Sequence, residues 1–197
     1  TGLASLFGEV DFGHAWIPSD EEALEKAGID SFHIDIMDGR YVPNFAMSLN
    51  DMAYIASATQ KPLDVHLMIE NPEKYVESFV KAGADIITFH YEAVENVEKI
   101  IELIKSYGVK VGMSIKPKTS PQEILKYLPI LDLLLVMSVE PGFGGQAFMP
   151  DCADKIPLIK QYSNENLIIQ VDGGINSETA KICKDLGATS LVAGNYI

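Results

Sequence analysis

The chain has 197 residues, 47% of them hydrophobic and 22% charged, enough to bury a substantial core and ordinary for one globular domain. Its 28 acidic against 15 basic residues give a formal charge of −13, which argues against a nucleic-acid-binding surface and means that any bound phosphate must be held locally by backbone N–H groups or a metal. No run is long and apolar enough to span a bilayer, and no membrane partner is expected. Cys152 and Cys183 form neither a Cys-x-x-Cys pair nor a secreted-type framework. The stretch Thr1 to Phe12 has no basic residues ahead of an apolar run and does not read as a signal peptide. A reducing, cytoplasmic setting is the expectation.

In chain order, a β-type run at Gly2–Phe7 is followed by the capping box Ser19-Asp-Glu-Glu22 and a helix closed by Gly28. The second strand is expected at Ser31–Met37 and the third at Leu63–Ile69. Asn71-Pro72 then reads as an N-cap with proline at the first helical position, and Gly83 ends that helix. The fourth strand, Ile86–Tyr91, leads to a helix closed by Gly108, and the fifth is Lys110–Ile115. Ser120-Pro121 opens a further helix before the sixth strand, Leu133–Val139. The seventh strand, Leu167–Val171, precedes a helix opened by Asn176-Ser177 and closed by Gly187. The eighth is expected over Ser190–Ile197.

Three junctions share one form: Lys26-Ala-Gly-Ile-Asp30, Lys81-Ala-Gly-Ala-Asp85 and Asp185-Leu-Gly-Ala-Thr189. Each joins a helix end to a strand through a glycine turn. Eight strands alternating with helices predict one α/β domain over residues 1–197, a (β/α)₈ TIM barrel whose last helix is missing from this chain.

Alternate side chains of a strand share a face, so His33, Asp35 and Met37 oppose Phe32, Ile34 and Ile36. The apolar set suits the outer helices, and the polar set then points into the barrel, where branched aliphatics are the rule. The third strand repeats this, with Leu63, Val65 and Leu67 outward and His66 and Met68 inward. Asp172 ends the seventh strand, at the barrel face where active sites lie. Two His and two Asp converging there make a ligand set for Zn²⁺, Fe²⁺ or Mn²⁺. The competing reading of His33 and Asp35 is a satisfied core hydrogen bond. Met37, Met68 and Met137 read by spacing alone as core filler. Glycine loops at Glu140-Pro-Gly-Phe-Gly-Gly-Gln146, Gly173-Gly174 and Gly194-Asn195 let backbone N–H groups approach an oxyanion. The last two follow strands seven and eight, the usual phosphate site of such barrels.

The blocks His33-Ile-Asp-Ile-Met-Asp-Gly-Arg-Tyr-Val-Pro-Asn44, Asp64-Val-His-Leu-Met-Ile-Glu-Asn-Pro72, Val136-Met-Ser-Val-Glu-Pro-Gly-Phe-Gly-Gly-Gln146 and Val171-Asp-Gly-Gly-Ile-Asn176 resemble the ribulose-phosphate 3-epimerase family. The resemblance implies an isomerase of the pentose phosphate pathway that inverts carbon 3 of D-ribulose 5-phosphate through an enediolate. It also implies one divalent metal (Zn²⁺ first; Fe²⁺, Mn²⁺ or Co²⁺ as substitutes) on His33, Asp35, His66 and Asp172, with Asp35 and Asp172 as the acid/base pair. Substrate would be met by Ser5, His66, Gly142, Phe143, Gly144, Gly145, Gly173, Gly174, Gly194 and Asn195, and the reacting carbon lined by Met37, Met68 and Met137. The partner is then a small ketose phosphate, and a homo-oligomer is compatible.

Two departures from the family pattern touch the pocket. The first strand reads Ser5-Leu-Phe-Gly-Glu-Val-Asp11, one residue longer before the acid than the family's Ser-x-Leu-x-Ala-Asp, and Asn195 stands where a serine is common. A six-carbon substrate such as D-allulose 6-phosphate is the nearest alternative, and a catalytically silent phosphosugar-binding barrel a more distant one. A metal-independent decarboxylase of a related barrel would need Asp-x-Lys-x-x-Asp, but Met37 stands where its lysine belongs.

Overall fold

A computed structural model describes the backbone of residues 5–6 and all of residues 28–194. Among these residues nine strands form one sheet: β1 Ser5–Leu6, β2 Phe32–Asp38, β3 Phe45–Ala46, β4 Leu63–Met68, β5 Ile86–His90, β6 Lys110–Ile115, β7 Leu133–Met137, β8 Ile168–Asp172 and β9 Ser190–Ala193. Eight pair in parallel in the order β1-β9-β8-β7-β6-β5-β4-β2, and β2 pairs back onto β1, which closes the barrel. The fold is the expected (β/α)₈ type. All eight expected strands are present; Lys110–Ile115 has the expected bounds, the ends of the first lie outside the described residues, and the others shift by one to a few residues at one or both ends. The eighth stops at Ala193, and the stretch 195–197 assigned to it lies outside the described residues, as does the capping box at Ser19.

Among the described residues, six α-helices follow the strands: α1 Leu49–Ala58, α2 Val76–Lys81, α3 Val97–Ser106, α4 Pro150–Ala153, α5 Ile156–Tyr162 and α6 Ser177–Leu186. In α3, Val97, Ile100, Ile101 and Ile104 recur at helical spacing and are all buried. Each such side chain contributes about 1.5–3 kcal/mol of burial free energy. Asn176 caps α6 as expected, accepting from the N–H groups of Glu178 and Thr179, and Gly187 ends the helix at φ 115°.

Three expectations need correction. Asn71 caps no α-helix: it sits at φ 50° ahead of a 3₁₀ turn, and α2 begins only at Val76. Ser120-Pro121 opens a 3₁₀ turn over Pro121–Glu123, and a second turn at Leu128–Ile130 completes the β6–β7 crossover without an α-helix. Pro129 within this crossover has no N–H to continue a helix. The third correction is β3, which was not expected; it runs antiparallel to the end of β2, joining Met37 to Ala46 and Asp38 to Phe45.

Two of the repeated junctions, and the Asp132 turn ahead of β7, do one physical job. Asp85 accepts the N–H of Leu63 at 2.8 Å, Asp132 that of Val111 at 2.8 Å, and the Thr189 hydroxyl that of Ile169 at 2.9 Å. Each side chain therefore satisfies a donor at the start of the neighbouring strand and fixes strand register at the bottom of the barrel.

Apolar burial divides between two layers. Phe32, Ile34, Ile36, Leu63, Val65 and Leu67 pack outward with the helices in one large cluster. A smaller cluster, Ile86, Leu133, Leu135, Met137 and Val139, with Ile168 against it, fills part of the barrel interior.

Candidate active site

The β2–β4 register sets His33 beside Asp64, Asp35 beside His66 and Met37 beside Met68, all with inward parity. His66 in turn stands beside Thr88, and Asp64 beside Ile86. Three adjacent strands thus line one arc of the interior with imidazoles and carboxylates. His33, Asp64, His66, Thr88 and His90 are all buried, whereas the Asp35 side chain is 34% exposed and is the member reachable from outside.

Oδ1 of Asp35 lies 2.9 Å from Nδ1 of His66 and 3.4 Å from Nε2 of His33. Among the described residues, His33, Asp35 and His66 form the one group whose potential ligand atoms all lie within 4.8 Å of one another. The far nitrogen of each imidazole is held too. Nδ1 of His33 is 2.7 Å from Oδ2 of Asp64, whose other oxygen accepts from the Thr88 hydroxyl at 3.0 Å. Nε2 of His66 is 2.8 Å from Nε2 of His90, and Nδ1 of His90 is 3.4 Å from Oε2 of Glu92.

The electrostatics follow from these contacts. Burial works against a charged His33, but Asp64 and Asp35 outweigh it and push its pKa up to about 10. Burial likewise disfavours an ionised Asp35, yet the imidazoles of His33 and His66 hold its carboxyl well below the ordinary range. Asp172 moves the other way. Desolvation first and the charge of Asp35 second raise it above the ordinary range, and the two imidazoles offset this only partly. Burial lowers His90 to about 4. Glu92 is desolvated as well, but hydrogen bonds from His90, the Lys116 N–H and the Thr119 hydroxyl bring it down to about 2.

Asp172 reaches the interior from β8, which is separated from β2 by β9 and β1 on one side and by β4 to β7 on the other. It lies close enough for its charge to couple to Asp35, but outside the tight group of three. Met68 and Met137 are buried, and Met137 belongs to the inner apolar cluster beside Asp172 in register. Met37 is half-buried.

In the loop after β7, Gly142 and Gly145 take positive φ, Gly142 is buried, and Phe143, Gly144 and Gly145 are exposed. Gly173 and Gly174, after β8, also take positive φ, and a Cβ there would meet Val139 at 2.6 Å and the Phe148 nitrogen at 2.6 Å. Close packing therefore demands these two glycines irrespective of any ligand. Gly194 ends the described chain. Ser5 is described only as backbone, its register beside Val192, and Asn195 lies outside the described residues.

Several residues around the site escaped the sequence reading. Asp64 and His90 could have been found by continuing the alternation through Asp64-x-His66 and Thr88-x-His90. The others gave no sequence signal. Asp38 accepts N–H groups from Arg40, Tyr41 and Glu70, tying the loops after β2 and β4. Asn44 donates to the Gly142 carbonyl at 2.8 Å, and the Ser138 hydroxyl lies 2.8 and 2.7 Å from the carbonyls of Asp172 and Gly173.

A closed parallel barrel carrying an inward imidazole–carboxylate cluster defines a TIM-barrel protein with a candidate metal centre. Solved structures agree on the fold: N-acetylmannosamine-6-phosphate 2-epimerase from Clostridium perfringens superposes with a TM-score of 0.71 at 15% identity, covering 100% of this chain and 87% of that one. A mutant tryptophan synthase α-subunit from Pyrococcus furiosus gives 0.76 at 14% identity, covering 98% and 86%. The Ribulose-phosphate 3 epimerase family profile matches residues 10–197. Ribulose-phosphate 3-epimerase of Chlamydia trachomatis serovar D is 42% identical over 92% of this chain and 80% of its own length, and that of Bacillus subtilis strain 168 is 45% identical over 88% and 82%. The chain belongs to the ribulose-phosphate 3-epimerase family and is an isomerase of the epimerase type.

Proposed function

We propose that this protein inverts carbon 3 of D-ribulose 5-phosphate, giving D-xylulose 5-phosphate. The observation that carries the reading is the pair of inward aspartates on well-separated strands, one held ionised and the other raised towards its protonated form. Two carboxyl groups pushed apart in this way suit an acid/base pair. The ionised Asp35 takes the C3 proton from one face of the sugar, and Asp172 returns a proton to the opposite face of the planar enediolate, which inverts the centre. In the reverse direction the two exchange roles.

His33, His66 and Asp35 offer two imidazole nitrogens and a carboxylate at close range, a donor set that fits one divalent ion, with Asp172 as the fourth ligand. Zn²⁺, or Fe²⁺, Mn²⁺ or Co²⁺ in its place, would supply a Lewis acid that stabilises negative charge on the ketose oxygens. Backbone N–H groups of Gly142 to Gly145, Gly173, Gly174, Gly194 and Asn195 hold the phosphate, a role supported by the positive-φ glycines after β7 and β8 and by the net charge of −13. Ser5 meets the sugar, and Met37, Met68 and Met137 line its reacting carbon.

The test runs in heavy water. Wild-type protein should place solvent deuterium at carbon 3, faster on the pentulose phosphate than on D-allulose 6-phosphate. Asp35→Asn and Asp172→Asn, each assayed with its metal content measured, should lose epimerisation by about 10²–10⁴-fold. Each should still wash deuterium into one epimer, and the two should favour opposite epimers. Near wild-type epimerisation by both metal-loaded variants would overturn the assignment.

A further inference from the structure

The metal-centre reading above leaves unexplained why a third buried histidine, and beyond it Glu92 with its side chain 23% exposed, continue the line of His66. Glu92 is saturated with donors. Its Oε1 accepts the Lys116 N–H at 2.8 Å and the Thr119 hydroxyl, and its Oε2 accepts the Tyr41 hydroxyl at 3.3 Å. Lys116 in turn lays its ammonium 4.0 Å from the centre of the Tyr41 ring, so this corner is anchored from β2's loop and from the loop after β6. A carboxylate so supplied acts only as an acceptor.

That polarity propagates. His90 is buried, its Nδ1 is 3.4 Å from Glu92 and its Nε2 is 2.8 Å from Nε2 of His66. Between Glu92 and His66 one proton order sets no acceptor against an acceptor and moves the single such contact to the Asp35 end, where a cation can fill it: His90 Nδ1–H donates to Glu92, and His66 Nε2–H donates to His90 Nε2. The reverse order would turn the Nδ1 lone pair of His90 against the carboxylate. With the first order, Nδ1 of His66 carries its lone pair towards Asp35 at 2.9 Å, and the two acceptors can share only a cation. His33 shows the same design in one step, its Nδ1 held by Asp64 and its Nε2 facing Asp35.

We infer that Glu92 and His90 are positioning residues for the metal centre: acting in series, they fix His66 as the Nε2–H tautomer so that Nδ1 is the ligating nitrogen. The inference rests on the metal-centre reading. Ligating histidines elsewhere are oriented by a carboxylate or carbonyl on the second nitrogen, and loss of such a partner costs about 10–100-fold in metal affinity. Here an imidazole is interposed, which sets the carboxylate one residue further from the ion.

The experiment needs no sugar. Zinc affinity is measured by chelator competition on the full chain, thermal unfolding confirms folding, and long-range ¹H–¹⁵N NMR of histidine-labelled, zinc-loaded protein reads the tautomer of His66. Wild type should show Nδ1 coordinated and Nε2 protonated. His90→Leu should weaken zinc binding by about 10–100-fold, and His90→Gln, whose amide oxygen still accepts from His66, should recover most of it. Glu92→Gln, the variant to use if His90→Leu does not fold, should weaken zinc by about tenfold because an amide tolerates either proton order. Wild-type zinc affinity in folded His90→Leu and Glu92→Gln, or His66 bound through Nε2, would overturn the relay while leaving the metal centre standing. Failure of wild type to bind zinc would overturn both.

Discussion

The interior of this barrel has two unlike walls. On β2, β4 and β5 the inward positions include His33, Asp35, Asp64, His66, Thr88 and His90, with only Met37, Met68 and Ile86 apolar among them; on β7 and β8 they begin with Leu133, Leu135, Met137 and Ile168 and turn polar only at Gln170 and Asp172. The apolar wall follows the usual rule for such barrels, a packed core of branched aliphatics. The polar wall breaks the rule, and it can do so because stability is supplied elsewhere: the outward faces of the same strands bury Ile34, Ile36, Val65 and Leu67 against the helices. Each strand therefore carries fold information on one face and chemistry on the other. A buried polar wall is tolerable only when its groups are paired, and here nearly every imidazole nitrogen and carboxylate oxygen meets a partner.

The sharpest way to break the comparison is to truncate one residue on each wall. His66→Ala should reduce bound metal to background and abolish epimerase activity with it, while unfolding remains cooperative. Leu135→Ala, fully buried on the other wall, should cost about 2–5 kcal/mol of stability and keep its metal. Metal analysis and urea unfolding on both variants separate the outcomes; full activity in His66→Ala would make the polar wall mere packing.

The division into walls was legible in the sequence only where alternation was followed far enough. Eight strands, the closed barrel and the inward set of His33, Asp35 and His66 all come from period-two patterning and from the glycine turns that punctuate it. The helix between β6 and β7 did not materialise, because a cap signal such as Ser120-Pro121 marks where a turn starts and says nothing about whether it continues. The partners of the site were harder still. Alternation from Thr88 already points His90 inward, but that it meets His66 across 24 residues, and that Glu92 meets Tyr41 across 51, no local pattern encodes. The glycines after β8 show the converse. They read as an anion cradle in the sequence, yet the packing of Val139 and Phe148 alone would require them.

A second test asks what charge the polar wall carries when no metal is bound. His33 is raised from 6.5 to about 10, so its contribution to stability is fully present below pH 6.5 and is lost as pH rises through about 10. Metal-free protein should accordingly weaken over that window. The metal must displace this proton, so zinc affinity should rise by about tenfold per pH unit below the raised pKa. Calorimetric titrations in buffers of differing ionisation enthalpy would count the proton released. Affinity that stays flat between pH 6 and 8 would mean that His33 is neutral in the metal-free protein.

The smallest effect is expected at the edge of the polar wall, and it tests whether the wall is held by its hydrogen bonds or only by its shape. The Thr88 hydroxyl donates to Oδ1 of Asp64 at 3.0 Å, and both groups are buried. Gly112 opposite leaves room for that hydroxyl, since a Cβ there would lie 2.1 Å from Oγ1. Thr88→Val keeps the side chain's volume and replaces the donor with a methyl group. Asp64 then retains His33 on its other oxygen but loses one buried donor to a charged acceptor, a loss of about 1–2 kcal/mol. The urea midpoint should fall with the slope unchanged, as for a pure stability change. Zinc affinity should fall by less than tenfold, because the imidazole of His33 keeps its carboxylate. A midpoint that stays put or rises would show that the Thr88 bond contributes nothing net, and the polar wall would then owe its stability to the His–Asp pairs alone.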